Sequence, residues 1–455
     1  MPVRPVNEVD IERDQFFRHR SNSDPAVTTP VGKGLQGYSK FRRNSSPGAF
    51  NFQTHVIDLG FLEEPCDFGN VEECEAVFGH RASIRGSLLD SVCRSVTDEH
   101  PFHRLEAGQT GGVYAVPDPS ASCASRVAIL AVFKPQAEEG FERRGVPHGG
   151  GAIREEAVYM IDRSVGQVAM VPVTVRARLP AEALKERPQH MQETSHSTSQ
   201  ADVSEGAVQR FVSDLAGASE DFGMPHELEI AAQVVSIASA QHIASLDIRI
   251  CNTDRHPGNL MFKRSQHEYD NYTSDGTPPR FLPIPIDHGC ALPRFWAMGE
   301  ATFGAWANWP QVHAQPLPEV LDKISETFTS RHEALQMLAD LGLDPASQAT
   351  YLIGVTLLYE GAIRHKLNLA TIAALISRDP YDMENPSWLE LQFEHCAESV
   401  GVPWGWETNT RGDRVVRAPA DEAAWPPAGF LELLESVFRS DAARDAGESM
   451  AKKIA

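Results

Sequence analysis

The segment NTDRHPGN, residues 252–259, holds a carboxylate and an amide five positions apart, Asp254 and Asn259. Phosphoryl transfer requires a carboxylate that faces the acceptor hydroxyl and an oxygen ligand nearby for Mg²⁺. A tight loop can direct both side chains into one cleft. We therefore take Asp254, with its neighbours Arg255 and His256, as candidate catalytic residues and Asn259 as a candidate metal ligand. The alternative is a helix-capping loop, because Asn, Thr and Asp all cap helices.

A second carboxylate, Asp287, follows an apolar segment and precedes His288 and a glycine. This position, after a predicted strand, suits the principal metal ligand of a phosphotransferase that uses Mg²⁺ or Mn²⁺. A buried turn acid is the alternative interpretation. The literal tripeptide Asp-Phe-Gly at 221–223 precedes the catalytic segment instead of following it, so we interpret it as a loop element.

The residues expected to bind ATP lie earlier in the chain. Lys134 ends an apolar run typical of a strand, and Glu155 on the following predicted helix can pair with it. The segment GQTGG, 108–112, can lay backbone amides over phosphates. Its candidate residues are Gly108, Thr110, Gly111 and Gly112. Taken alone, a plain turn and a surface lysine are the alternatives; their order before Asp254 and Asp287 favours a nucleotide site.

Composition and charge limit the class of protein. The chain has 455 residues, a formal net charge of −21 and seven scattered cysteines. An acidic chain repels nucleic acid and anionic membrane at long range, so we expect no nucleic-acid partner. No apolar run approaches the roughly 18–20 residues of a membrane span, and the N-terminus lacks the apolar core of a signal peptide. We expect a cytoplasmic protein whose membrane contact, if any, is peripheral.

The apolar pattern divides the chain into a β-rich first half and a helical second half. It predicts a hairpin between 107 and 135, a helix entered through the glycines at 149–151, and helical spacing across 225–250. The predicted fold is α+β and bilobal, with a β-rich N-lobe, a mainly helical C-lobe and the segment 252–259 at the cleft. The predicted units are a disordered polar tail, 1–50; the N-lobe, 51–205, with a flexible insert at 180–205; the C-lobe, 206–395; and a C-terminal extension, 396–455.

Two segments resemble a known family. DIRICNTDRHPGNLMF and PIPIDHGCALP are similar to the catalytic and metal-binding segments of the phosphatidylinositol 3-/4-kinase superfamily, in particular type II and plant gamma-type phosphatidylinositol 4-kinases. The resemblance spans about 107–389. It implies a kinase-like fold and phosphoryl transfer from ATP with Mg²⁺ (or Mn²⁺).

The resemblance also implies roles for single residues. Lys134 would bind the ATP phosphates and Glu155 would hold that lysine. The segment 209–212 would be the hinge that contacts adenine, and 288–306 would form the substrate-facing activation loop. The adenine candidates in the hinge are Gln209, Phe211 and Val212.

Three functions stay open on the sequence. A lipid kinase would phosphorylate phosphatidylinositol at the 4-hydroxyl, and a protein kinase on the same fold would use a protein acceptor. A non-enzymatic nucleotide-binding scaffold is the third. Arg294 is the only nearby cation after Asp287, although an acidic headgroup calls for basic contacts. An aromatic run could seat against a bilayer or pack between helices; its members are Phe295, Trp296, Phe303, Trp306 and Trp309.

Overall fold

The computed structural model of the protein describes these residues: 81–95, 101–105, 111–118, 128–140, 143–184, 203–223, 228–265, 273–274, 276, 279–379, 384–409, 412, 414–419 and 426–454. All of them lie in the compact unit Phe52–Ala455. The predicted tail, 1–50, and most of the predicted insert, 180–205, fall outside the described residues, as do Gly108 and Thr110.

The strands are β1 (His103–Arg104), β2 (Tyr114–Pro117), β3 (Ile129–Pro135), β4 (Thr174–Pro180), β5 (Val203–Arg210), β6 (Leu215–Ala218), β7 (Leu260–Arg264), β8 (Phe281–Pro285), β9 (Trp406–Thr408) and β10 (Arg414–Val416). The helices are α1 (Arg81–Ser95), α2 (Gly151–Ser164), α3 (Leu228–Val234), α4 (Ile237–Ile250), α5 (Pro310–His313), α6 (Pro318–Thr329), α7 (Arg331–Asp340), α8 (Pro345–Tyr359), α9 (Leu369–Ile376), α10 (Trp388–Ser399), α11 (Phe430–Arg439) and α12 (Asp441–Ile454).

An antiparallel sheet of five strands, ordered β1-β2-β3-β5-β4, forms the N-terminal part. The predicted hairpin is its β2–β3 pair, and the predicted glycine-entered helix is α2. Side chains on one face of β3 are buried, Phe133 among them, while Lys134 on the next position stays partly exposed. The period of two along a strand therefore directs Lys134 away from the core side of Phe133.

The rest of the described chain is mostly helical. A small antiparallel sheet, β6-β7-β8, joins the N-terminal sheet to helices packed around α4 and α8. The predicted α+β fold, with a β-rich N-lobe and a mainly helical C-lobe, is thus confirmed. Within the described residues, no helix combines the length and apolar character needed to cross a bilayer.

The aromatic run lies inside the C-lobe. Each of its five aromatic side chains is at most 4% exposed; they are Phe295, Trp296, Phe303, Trp306 and Trp309. Phe295 makes an edge contact with Phe393 of α10, and Trp309 stacks on Phe262 of β7. The interpretation of these rings as a bilayer contact is wrong, because the aromatic area is used to fill the core.

The helical spacing across 225–250 is interrupted. Helix α3 ends at Val234 and α4 begins at Ile237, because the hydroxyl of Ser236 accepts a hydrogen bond from the Ser239 amide at 3.0 Å. Serine at this position satisfies an N-terminal amide of a new helix, which competes with continuation of the old one.

Helices α4 and α8 approach each other closely at Gly354. A Cβ atom there would lie 2.7 Å from the carbonyl oxygens of both Ile248 and Arg249. We expect Gly354→Ala to lower the free energy of unfolding by about 1–3 kcal/mol, because overpacking forces backbone shifts. Urea denaturation would measure the change.

Gly86 in α1 supplies the matched control, since among the described residues beyond its own helix backbone no atom lies within 4 Å of a Cβ placed there. Alanine favours a helix over glycine, so Gly86→Ala should raise the free energy of unfolding by about 0.5–1 kcal/mol. Equal effects at the two glycines would contradict the close packing of α4 against α8.

Candidate active site

The candidate catalytic loop begins where α4 ends. Cys251 adopts a left-handed conformation, with φ of 47°, and terminates the helix. The side-chain oxygen of Asn252 then accepts from the Asp254 amide at 2.9 Å, and a single 3₁₀ turn, Pro257–Asn259, leads into β7. The loop therefore connects α4 to β7 tightly and brings Asp254 and Asn259 to the same end of both elements.

Arg255 fixes the shape of this loop from beneath. Its side chain is fully buried, and its Nε donates to Asp247 Oδ2 at 3.0 Å. Its Nη1 donates to two carbonyl oxygens, those of Asn259 at 2.5 Å and of Ile286 at 2.8 Å. Ile286 immediately precedes Asp287, so one guanidinium sets the backbone beside both candidate metal ligands.

The grouping of Arg255 and His256 with Asp254 as catalytic residues needs correction. Arg255 has no exposed surface with which to contact a substrate, so it acts through the backbone that it holds. His256 is exposed, and its Nδ1 accepts from the Gly258 amide at 3.1 Å as the N-cap of the 3₁₀ turn. We interpret Arg255 as a positioning residue and His256 as a local cap.

Lys134 lies between two carboxylates that come from different lobes. Its Nζ is 2.5 Å from Glu155 Oε1 on α2 and 3.3 Å from Asp287 Oδ1, which follows β8. Burial alone would lower the pKa of Lys134, but the charges of Asp287 and Glu155 outweigh it and raise the pKa. Lys134 in turn outweighs the effect of burial on Glu155 and lowers the pKa of that carboxyl. Lys134 and Glu155 are therefore both charged at neutral pH.

Asp287 and Asn259 present oxygens suited to a cation. Asp287 has a left-handed backbone, with φ of 57°, and its side chain is 47% exposed. The Asn259 side-chain amide nitrogen donates to the Asp254 carbonyl at 3.1 Å, which leaves its oxygen as the atom that could ligate a metal. In the described part of the chain, no group of three or more His, Cys, Asp and Glu could hold a metal ion. The Asp287 carboxylate and the Asn259 amide oxygen fit Mg²⁺, which takes one or two carboxylates together with substrate phosphates.

His288, beside Asp287, is fully buried, and its Nδ1 lies 3.7 Å from Glu155 Oε2. Burial lowers the pKa of His288, and the neighbouring Glu155 only partly opposes that shift. The imidazole is therefore neutral at pH 7 and adds no positive charge to the lysine and its two carboxylates.

Asp254 is partly exposed and its carboxylate contacts the guanidinium of Arg143, which lies 111 positions earlier in the chain. Burial raises the pKa of Asp254, and the charge of Arg143 opposes that shift. A carboxylate with a raised pKa is a better proton acceptor for a hydroxyl group. No spacing in the sequence indicated Arg143, because the contact exists only in the folded chain.

Arg154 anchors helix α2, and the sequence analysis did not predict this role. Arg154, next to Glu155, is almost fully buried and donates to the Leu292 carbonyl at 3.2 Å and to Ser347 Oγ at 2.9 Å. Leu292 lies in the predicted activation loop and Ser347 begins α8. Arg154 therefore holds the helix that carries Glu155 against the C-lobe.

The proposed adenine contacts divide into two kinds. Gln209 is buried in β5, and its amide donates to Thr174 Oγ1 at 3.1 Å and Glu155 Oε2 at 3.4 Å. Gln209 thus supports Glu155 through its side chain, and its contact with adenine as part of the hinge stays a prediction. Phe211 and Val212 are half-buried in the connection from β5 to β6, and their contact with adenine stays a prediction.

The described glycines of the Gly-rich segment pack against the chain that follows Lys134. The Gly112 amide donates to the Glu138 carbonyl at 3.2 Å, so this amide is not available to a phosphate, contrary to expectation. A Cβ atom on Gly112 would lie 2.1 Å from Glu138 Oε2, and one on Gly111 2.9 Å from the Glu138 carbonyl oxygen. Gly111 therefore allows the close approach of two backbone segments, and Gly112 leaves room for the Glu138 side chain.

Comparison with known proteins shows which family this sequence matches. Residues 140–341 match the family model for phosphatidylinositol 3- and 4-kinase, and the match includes Asp254, Asn259 and Asp287. The chain carries a phosphatidylinositol 3- and 4-kinase domain. This domain, residues 140–341, is a phosphatidylinositol 4-kinase-like phosphotransferase domain.

Plant proteins are similar to this kinase chain. Phosphatidylinositol 4-kinase gamma 4 of Oryza sativa subsp. japonica is 31% identical over 307 residues, which cover 64% of this chain and 47% of that protein. Phosphatidylinositol 4-kinase gamma 3 of Arabidopsis thaliana is 27% identical over 343 residues, covering 70% and 54%. Phosphatidylinositol 4-kinase gamma 8 of Arabidopsis thaliana is 27% identical over 387 residues, covering 80% and 66%. The kinase chain thus spans about half to two-thirds of the length of these relatives.

Arg255→Lys tests the positioning role. Lysine keeps a charge beside Asp247 but cannot bond both carbonyl oxygens at once. We expect the free energy of unfolding to fall by about 1.5–3 kcal/mol. We expect kcat to fall about 100-fold, because a small displacement of catalytic groups has that effect. Denaturation and steady-state kinetics would measure both.

His256→Ala is the control at the next position. His256 is exposed and, among the contacts seen, bonds only locally. The turnover number of the His256→Ala variant should therefore stay within about two- to three-fold of that of the natural chain. A larger loss from His256→Ala than from Arg255→Lys would restore His256 as a catalytic residue and contradict the assignment of Arg255.

Proposed function

We propose that this kinase domain transfers the γ-phosphoryl group of ATP to the 4-hydroxyl of phosphatidylinositol. The observation that carries the proposal is the convergence of Lys134, Glu155 and Asp287, which come from a strand, a helix and a loop of two lobes. Phosphoryl transfer depends mainly on positioning and charge stabilisation, and this arrangement supplies both.

Each residue then has a distinct part in the reaction. Lys134 binds phosphate oxygens and Glu155 holds the lysine in place, while Asn259 and Asp287 would hold Mg²⁺. Mg·ATP, when bound, supplies the phosphoryl group and a metal that neutralises charge on the phosphates. Asp254 accepts the hydroxyl proton as the acceptor oxygen bonds to the γ-phosphorus and the bond to the departing ADP oxygen breaks.

The names of the plant relatives support phosphatidylinositol as the acceptor. One observation favours a second candidate, a serine or threonine hydroxyl of a protein. The aromatic run after Asp287 is buried, so these rings do not form the bilayer contact that a lipid kinase could use. The second candidate places the same phosphoryl-transfer chemistry on a different acceptor.

An acceptor assay separates the two candidates. The purified chain would be incubated with Mg²⁺ and labelled ATP in the presence of phosphatidylcholine vesicles with or without phosphatidylinositol, or of a generic protein acceptor. We expect label in a lipid product only when phosphatidylinositol is present, with the 4-position identified by product analysis. Label confined to protein would contradict the lipid proposal and support the second candidate.

Two carboxylate variants test the division of roles. Asp254→Asn removes the proton acceptor, so kcat should fall by about 10²- to 10⁴-fold while Mg·ATP affinity changes little. Asp287→Asn weakens a metal ligand, so Mg²⁺-dependent ATP affinity should fall as well. Calorimetric titration and steady-state rates would measure the two effects. Full turnover by Asp254→Asn would contradict its role as proton acceptor, and a natural chain that binds Mg·ATP without any turnover would favour the nucleotide-binding scaffold.

A further inference from the structure

A turn of the N-lobe, residues 143–146, lies against the catalytic loop and the activation loop. The Val146 amide donates to the Arg143 carbonyl at 3.0 Å, which closes the turn. The Arg294 amide in turn donates to the Gly145 carbonyl at 2.7 Å, and a Cβ atom on Gly145 would lie 2.6 Å from Ala297 Cβ. Gly145 also has a positive φ of 74°. The turn is therefore seated by backbone contacts that only glycine allows.

The two arginines of this turn point at different partners. The Arg143 guanidinium contacts the Asp254 carboxylate through Nη2. The Arg144 guanidinium lies 3.4 Å from Glu300 of the activation loop and 3.5 Å from Glu407 of β9. Arg143 thus reaches the candidate proton acceptor, while its neighbour reaches two carboxylates outside the catalytic loop.

The basic residues next to Asp254 in the sequence, Arg255 and His256, bond to other groups of the chain. Arg255 is buried under the loop, and His256 is exposed with its Nδ1 held by a backbone amide. Lys134 is engaged with Glu155 and Asp287. The cation whose side chain meets the Asp254 carboxylate therefore comes from the N-lobe, as Arg143.

Charge develops where Asp254, the acceptor hydroxyl and the transferred group meet. The oxygens of that group carry negative charge in the transition state, and Asp254 adds another negative group beside them. A guanidinium has five donors in a planar fork and can bind two oxyanions at once. Arg143 Nη2 contacts Asp254, and about a third of the Arg143 side chain is exposed. The remaining face of the fork suits the oxygens of the transferred group.

We propose that Arg143 is a catalytic residue of this kinase, which contacts the phosphoryl group during its transfer and orients Asp254 at the same time. The proposal rests on phosphoryl transfer by this site and does not depend on which acceptor is used. Arg143 acts in the step in which the acceptor oxygen bonds to the γ-phosphorus, the bond to the ADP oxygen breaks and the hydroxyl proton passes to Asp254.

Arg143→Gln is the decisive variant and Arg144→Gln its matched control, because both remove one positive charge from the same turn. We expect Arg143→Gln to lower kcat at least about 100-fold, the usual loss when a donor to transition-state charge is removed. The rate of ATP hydrolysis without acceptor should fall in parallel, and KM for ATP should change little. Arg143→Lys should recover part of the loss. Arg144→Gln should stay within about two- to three-fold, because its partners Glu300 and Glu407 lie outside the catalytic loop.

A binding measurement gives a readout apart from turnover. The chain would be titrated with Mg·ADP alone and with Mg·ADP plus aluminium fluoride, which mimics a phosphoryl group in transfer. The natural chain and Arg144→Gln should bind ADP more tightly with the fluoride. Arg143→Gln should bind Mg·ADP normally but lose at least about ten-fold of that gain.

Several results would overturn the proposal. If Arg143→Gln raises only the KM for acceptor, the residue binds the acceptor; if it raises kcat, the turn blocks the site. A variant that keeps the fluoride-dependent gain, or that loses Mg·ADP affinity together with its melting temperature, assigns Arg143 a structural role. Absence of a lipid product with the natural chain would reject phosphatidylinositol as acceptor. The hydrolysis and ADP titrations would still decide the role of Arg143.

Discussion

The buried pair of Asp247 and Arg255 is the interaction on which the rest of the site depends. A carboxylate inside a protein is costly unless its oxygens are satisfied. Asp247 meets that condition by accepting from Arg255, from Trp306 Nε1 at 2.8 Å and from Asn252 Nδ2 at 3.3 Å. One carboxylate thus joins the end of α4, the candidate catalytic loop and the predicted activation loop. The guanidinium then extends the same network to the carbonyl oxygen beside Asp287.

Helix α2 transmits this order to the N-lobe. Its neighbouring residues Arg154 and Glu155 bind on opposite sides, since Arg154 bonds the Leu292 carbonyl and Glu155 bonds Lys134. Because the two residues are adjacent on one helix, the position of Glu155 beside Lys134 is linked to the segment that contains Leu292, the predicted activation loop.

The sequence analysis predicted features that depend on local patterns and missed those that depend on contacts between residues far apart in the chain. The apolar run predicted a strand that ends near Lys134, and the loop spacing predicted that Asp254 and Asn259 lie together at one loop. The same spacing cannot tell that Arg255 turns inward, because its partner Asp247 lies on the preceding helix. An aromatic run has the same pattern in a core and at a bilayer, and only its neighbours distinguish the two. The contact of Arg143 with Asp254 spans 111 positions, and no periodicity records it.

Arginine and lysine have different roles at this site because their side chains differ in chemistry. Arg154 and Arg255 each donate to acceptors on several segments, which requires the planar fork of a guanidinium. Both are buried, so their role is to fix geometry. Lys134 is a compact charge on a flexible stem, with a partly exposed side chain between two carboxylates. The lysine ammonium can exchange one partner for another because, unlike a guanidinium, it needs no planar alignment with its acceptor. The site thus uses arginine where backbone must stay in place and lysine where, in the proposed reaction, a triphosphate would replace the contact with Asp287.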